Sequence, residues 1–210
     1  MGKINSITKQ TDNRYVNLYN VKATSVHNTP VNYFVSSRAK DVDSLKMVTH
    51  KNNPDGVIIY SIYGEKHDKV VLIRQYRYTL GDYIYEFPAG LVEPDENYHE
   101  GAIREMYEET GLKLDPIPVA EAYQKPYFTT VGMTDESCAT VYGYASGEIS
   151  SKAQEDTEEI EVILADREEV KRILKAVNSF EFHRCRRTPQ VEYLTLSLGR
   201  LLYICLNPYP

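Results

Sequence analysis

Arg104, Glu105, Glu108 and Glu109 stand close together in the stretch GLVEPDENYHEGAIREMYEETGL, which runs from Gly90 to Leu112. That stretch holds seven carboxylates. Carboxylates crowded in this way repel one another. A hard divalent cation such as Mg²⁺, which takes oxygen ligands, turns that repulsion into attraction. The chemistry such a cluster suggests is therefore metal-assisted.

The spacing decides which side chains can act together. At about 100° per residue in an α-helix, Glu109 falls about 40° from Glu105, and Glu108 about 60° to the other side. Ala102, Met106, Thr110 and Ile103 span the arc from about 60° to about 160°. The predicted helix thus has an acidic face and an apolar face, and the apolar face can dock on a sheet. Glu105 and Glu109 form a like-charged i,i+4 pair, unfavourable by itself. Both also lie towards the C-terminal end, where the helix dipole disfavours anions. A bound cation would reverse both penalties. The same residues also suit a solvated acidic surface helix, with Glu100 paired to Arg104 at i,i+4.

The segments around this helix must hold it in place. GVIIYSIY (56–63) and VVLIRQYR (70–77) are β-rich runs around a polar turn and predict a hairpin. DYIYEF (82–87) alternates as a further strand, which Pro88-Ala89-Gly90 ends. The helix is predicted from Tyr98 to Thr110, with Gly111 as a left-handed C-cap. Other strands are expected near Val119–Tyr123, Ser137–Ala145 and Ile160–Leu164. Asp166 and Glu169 have capping-box spacing ahead of Val170, Ile173, Leu174 and Val177 at helical period. A last helix is expected from Thr188-Pro189, with Leu194, Leu198, Leu201 and Leu202 on one side. Upstream, residues 14–38 read as two strands around His27-Asn28-Thr29-Pro30. Together these predict an α/β (α+β) sandwich with a mixed sheet, preceded by a small antiparallel β segment. The expected division is residues 1–50 for that segment and 51–210 for the main domain.

Composition narrows the classes. The 210 residues carry a formal net charge of −6, which gives no reason to expect nucleic acid or an anionic membrane as a partner. No apolar run is long enough to cross a membrane, and the N-terminus MGKINSITKQ has no apolar signal region. Cys138, Cys185 and Cys205 are widely spaced, odd in number and in no CxxC pair. They read as buried free thiols of a soluble, cytoplasmic protein.

The acidic stretch also fits G-x5-E-x7-R-E-U-x-E-E-x-G-U, where U is apolar. Gly90, Glu96, Arg104, Glu105, Met106, Glu108, Glu109, Gly111 and Leu112 fill every specified place. A chance match in a chain this long is on the order of one in 10⁷. This pattern resembles the signature of the Nudix hydrolases, which cleave a nucleoside diphosphate linked to another group. RQYR (74–77), EFPAG (86–90), a β-rich N-terminal segment and Pro126 fifteen residues after Gly111 resemble the ADP-ribose and nucleotide-sugar pyrophosphatase branch. The loop YFTTVGMTDES (127–137) departs from that branch, with Thr130-Val131-Gly132 in place of a Ser-Pro-Gly-containing segment.

The resemblance implies roles residue by residue. Glu105 and Glu109 would be metal ligands, with the Ala89 carbonyl as a further one and Glu108 as a ligand or catalytic neighbour. Arg104 would orient the glutamates through charge-assisted bonds. Glu96 would brace the loop. Arg77 would contact a phosphate, and Glu86 a ribose hydroxyl or a metal; both also suit outward-facing strand positions. The acidic turn Glu155-Asp156-Thr157-Glu158-Glu159 resembles that branch's catalytic loop, with Glu158 as the late metal ligand and Asp156 as a candidate base. The implied cofactor is Mg²⁺, with Mn²⁺ possible because both accept oxygen ligands. The implied reaction is hydrolysis of the pyrophosphate bond of ADP-ribose, to AMP and ribose 5-phosphate, or of a related nucleoside diphosphate sugar. Other nucleoside diphosphate derivatives, or a non-catalytic nucleotide-sugar sensor, are the alternatives. The resemblance further implies a homodimer built through residues 1–50, with Tyr33 and Phe34 in core packing or stacked on a base.

Overall fold

A computed structural model describes residues 1–178 together with residues 193 and 194. Two compact units result: Met1–Gly56 with Gln124–Ala139, and Val57–Tyr123 with the described residues from Thr140 onward. The first unit opens with β1 (Lys3–Lys9), β2 (Asn17–Thr24), β3 (Pro30–Ser37) and a short α1 (Lys46–Thr49). The second contains β4 (Gly56–Tyr63), β5 (Lys69–Arg77), β6 (Asp82–Glu86), β7 (Ala89–Leu91), α2 (Tyr98–Thr110), β8 (Lys113–Pro116) and α3 (Glu121–Gln124). The chain returns to the first unit for β9 (Tyr127–Phe128) and leaves it along β10 (Ser137–Ser146). It ends in the second with β11 (Ile160–Ala165), α4 (Arg167–Asn178) and β12 (Tyr193–Leu194).

In the first unit β1, β2 and β3 form an antiparallel sheet in that order. β1 was not legible as a strand because its two apolar residues, Ile4 and Ile7, are three apart. A bulge between Ile4 and Ser6 corrects the period: Ile4 pairs with Ala23 and Ile7 with Val21, so both face one way. Tyr33 and Phe34, expected in part as core, are 43% and 48% exposed.

The second unit is the sandwich that alternation in β4 and β5 prescribes. Val57, Ile59 and Val71 pack with Ala102 and Met106 of α2. Their neighbours Ile58, Tyr60 and Leu72 pack with Val170 and Ile173 of α4. Successive strand residues point to opposite faces, so α2 and α4 cover opposite sides of one sheet. β5 pairs antiparallel with β11 along Val70–Gln75, with β6 along Ile73–Arg77, and with β4 at Val70 and Lys69. β12 runs parallel to β6, which makes the sheet mixed.

Three expectations change. The strand expected near Val119–Tyr123 is replaced by β8 and the single turn α3; Pro118 cannot donate a ladder hydrogen bond, so pairing stops before it. Leu194, expected in a helix, lies in β12, and the rest of that predicted helix falls outside the described residues. Asp166 caps α4 through Glu168 N and Glu169 N, but Glu169 turns to Arg172 rather than closing the box. Cys138 is a free, half-buried thiol pushed up to about 11 by burial, and the other two cysteines lie outside the described residues.

Candidate active site

α2 begins where Asn97 caps it. The Asn97 side chain accepts from His99 N at 2.9 Å, and Glu100 reaches back to Asn97 N at 3.3 Å. This capping box, an N-x-x-E pattern legible at 97–100 but missed, takes Glu100 away from the alternative pairing with Arg104. The helix ends at Gly111, whose φ of 76° is the left-handed C-cap. A Cβ there would sit 2.6 Å from Ser150 N, so the position excludes a side chain twice over.

Arg104 gathers the acidic residues. Its guanidinium donates to both oxygens of Glu96 at 3.0 Å, to Glu105 at 2.9 Å, to Glu108 at 2.8 Å and to the Leu91 carbonyl at 2.9 Å. Glu96 in turn accepts from Glu93 N at 2.9 Å, bracing the loop before the helix. The fork of Arg104 holds Glu96 well enough to depress its carboxyl below the ordinary value.

Glu109 is 2% exposed, and the Ala89 N–H donates to its carboxylate at 3.0 Å. Burial pushes its carboxyl well above the ordinary range, and the charges of Glu105 and Glu158 push the same way. Glu105 is raised by burial against the pull of Arg104. Glu158 is also raised by burial, and it feels Glu108 and Arg77. Gly90 makes room for a side chain. It lies in β7, and a Cβ there would fall 1.9 Å from the Glu105 carboxyl carbon. Its lack of a side chain is the space that Glu105 occupies.

The structure thus brings Arg104, Glu105, Glu108, Glu109, Glu158 and the backbone of Ala89 to one place. Arg77 and Glu86 pair with each other across β5 and β6 at 2.7 Å, with Glu86 largely buried. Asp156 is exposed on its turn, and among the described residues no hydrogen bond or ion pair engages it. Two residues not anticipated tie the acidic turn down. Gln154 donates to the Glu109 carbonyl at 2.7 Å, and the Tyr83 hydroxyl donates to the Glu159 carboxylate. Neither lies in a local pattern that would have marked it.

The donor set suits a hard divalent cation: all oxygens, several of them in carboxylates whose burial disfavours the uncompensated charge. Among the described residues no three carboxylates converge closely enough to hold one ion as they stand. Arg104, bound to Glu105 and Glu108 together, supplies the positive charge in this arrangement. Among the described residues no helix is long and apolar enough to cross a membrane.

The model of the NUDIX domain matches residues 52–184. A mouse (Mus musculus) ADP-sugar pyrophosphatase is 33% identical over 81 residues, covering 37% of this chain and 37% of that protein. An ADP-ribose pyrophosphatase of Bacillus subtilis (strain 168) is 28% identical over 145 residues, covering 69% of this chain and 74% of that protein. The chain spans little more than a third of the mouse relative's length. A solved structure described as an ADP compounds hydrolase superposes with a TM-score of 0.59 over 83% of each chain at 16% identity, a likeness of fold.

Proposed function

The chain belongs to the NUDIX family, and from that premise we propose that it is a divalent-metal-dependent pyrophosphohydrolase of ADP-ribose or a related nucleoside diphosphate sugar. Water adds across the pyrophosphate bond, and ADP-ribose gives AMP and ribose 5-phosphate. The observation that carries this reading is the complete acidic box, drawn together by Arg104 around a buried Glu109. The names of the mouse and Bacillus relatives support the substrate class.

In this reading Glu105, Glu109, Glu158 and the Ala89 carbonyl hold Mg²⁺ or Mn²⁺. A bound ion of this kind neutralises phosphate charge and lowers the pKa of water. Arg104 orients Glu105 and Glu108 and braces the loop through Glu96. Glu108 contributes to the same acidic face. Arg77 offers its charge to a phosphate, and Glu86 fixes the Arg77 side chain through their ion pair. Asp156, exposed on its turn, remains a candidate base. Residues 1–50 serve as the contact with a second copy.

The test is incubation of the purified full chain with ADP-ribose and Mg²⁺, following AMP. AMP release that stops with a chelator is the expected result. No turnover across a panel of nucleotide sugars overturns the reading.

A further inference from the structure

The segment that carries Glu158 is fastened at both ends, by residues outside the acidic box. At its start, Ser150 N donates to the Thr110 carbonyl at 2.9 Å. The Gln154 amide then reaches the Glu109 carbonyl at 2.7 Å and, at 3.5 Å, the Ile160 carbonyl. The last carbonyls of a helix have no partner within it, so these two bonds dock the segment on the open end of α2. Gln154 binds the backbone of the same residue whose carboxylate is the most buried of the cluster.

At its end, Glu159 is held twice. Tyr76 N donates to the Glu159 carbonyl at 3.1 Å, and the Tyr83 hydroxyl donates to its carboxylate. Tyr83 is itself fixed. The Arg74 guanidinium lies 4.1 Å over its ring, and Tyr76 packs edge-on at 5.4 Å. Between these anchors Glu158 N donates to the Glu155 carbonyl at 3.0 Å, closing a turn on which Glu158 is half-buried and within electrostatic reach of Glu105, Glu108 and Glu109.

We propose that Tyr83 and Gln154 are positioning residues for Glu158, latching the 154–159 segment between the β5–β6 hairpin and the C-terminal end of α2. Neither touches the reacting atoms. Each acts by fixing where the Glu158 carboxylate sits relative to Glu105 and Glu109. For its effect on turnover this rests on the pyrophosphohydrolase reading; for its effect on the segment it does not. A carboxylate displaced by about an ångström from its working position loses catalytic effect without losing the fold.

The test uses the full chain carrying Tyr83→Phe, Gln154→Ala or Glu158→Gln, and the double variant Tyr83→Phe/Glu158→Gln. With ADP-ribose and Mg²⁺, Tyr83→Phe and Gln154→Ala are each expected to lower kcat roughly tenfold while KM stays within about twofold. The double variant is expected to be no slower than Glu158→Gln alone, because the latch acts only through Glu158. In the metal-free protein without substrate, hydrogen exchange of the amides of 155–160 is expected to speed up in both latch variants, with β6 unchanged. Unchanged kcat in Tyr83→Phe, an added loss in the double variant, or unchanged exchange at 155–160 overturns the proposal. If the wild-type chain turns over no nucleotide sugar, the functional reading fails, and the exchange result alone decides the latch.

Discussion

Glu109 shows how one residue can be unfavourable for the fold and yet belong to the proposed metal site. Its carboxyl is raised by burial, so between the ordinary value near 4.5 and its raised value the folded state holds more protons than the unfolded one. Stability then falls as pH rises through that window. Glu109→Gln removes this slope. In chelator at neutral pH the variant is expected to melt above the wild type, and the gap should close as pH falls towards about 4.5. Its turnover should drop about a hundredfold or more. A variant that melts lower and keeps its activity would contradict both roles. Glu96 has the opposite sign. Arg104 lowers its carboxyl, so its contribution is present above the ordinary value near 4.5 and is lost as pH falls through its depressed one. Glu96→Gln is expected to cost about 1–3 kcal/mol at neutral pH and less in acid, as read by urea unfolding.

At the level of elements, the two glycines that bracket the acidic stretch do different work. Gly111 is a backbone requirement, with a left-handed φ and no room beside Ser150. Gly111→Ala should destabilise the protein by about 1–3 kcal/mol in chemical unfolding. Gly90 is a space requirement, and what its Cβ would meet is the end of the flexible Glu105 side chain. Gly90→Ala should leave the melting temperature near that of the wild type and lower kcat, because Glu105 moves aside. Equal losses of stability in the two variants would refute this division. α2 itself was legible to the residue, from Tyr98 to Thr110, because an apolar arc of Ala102 and Met106 and a C-cap glycine bound it on local grounds. β1 and β8 were not. One depends on a bulge to bring Ile4 and Ile7 to a single face, and the other on where Pro118 interrupts pairing.

Across the whole molecule, the acidic site sits on a sheet buried by α2 and α4 on opposite faces, which gives the carboxylates a rigid base. Adding Mg²⁺ to chelated protein should raise the melting temperature of the wild type, and much less that of Glu109→Gln, because a ligand bound only by the folded state stabilises it by mass action. Sedimentation should report a dimer that Tyr33→Glu/Phe34→Glu, at two exposed positions of the proposed 1–50 contact, weakens; a monomeric wild type would contradict that contact. The sequence by itself determined the acidic helix, its C-cap, the identity of the carboxylates and the chemistry they suit, since these follow from residue type and helical period. It also determined that Arg104 stands among carboxylates, but not which of them it chooses. Only the tertiary structure decided that Arg104 grips Glu96 besides Glu105 and Glu108, that Arg77 turns to Glu86, and that Tyr83 and Gln154 bind the segment carrying Glu158. The contacts to Glu96 and Glu86 cross a loop and a hairpin, eight and nine residues apart, and the last two join residues 76 and 45 apart. No local periodicity encodes them; they arise when sheet register and helix docking bring the segments together.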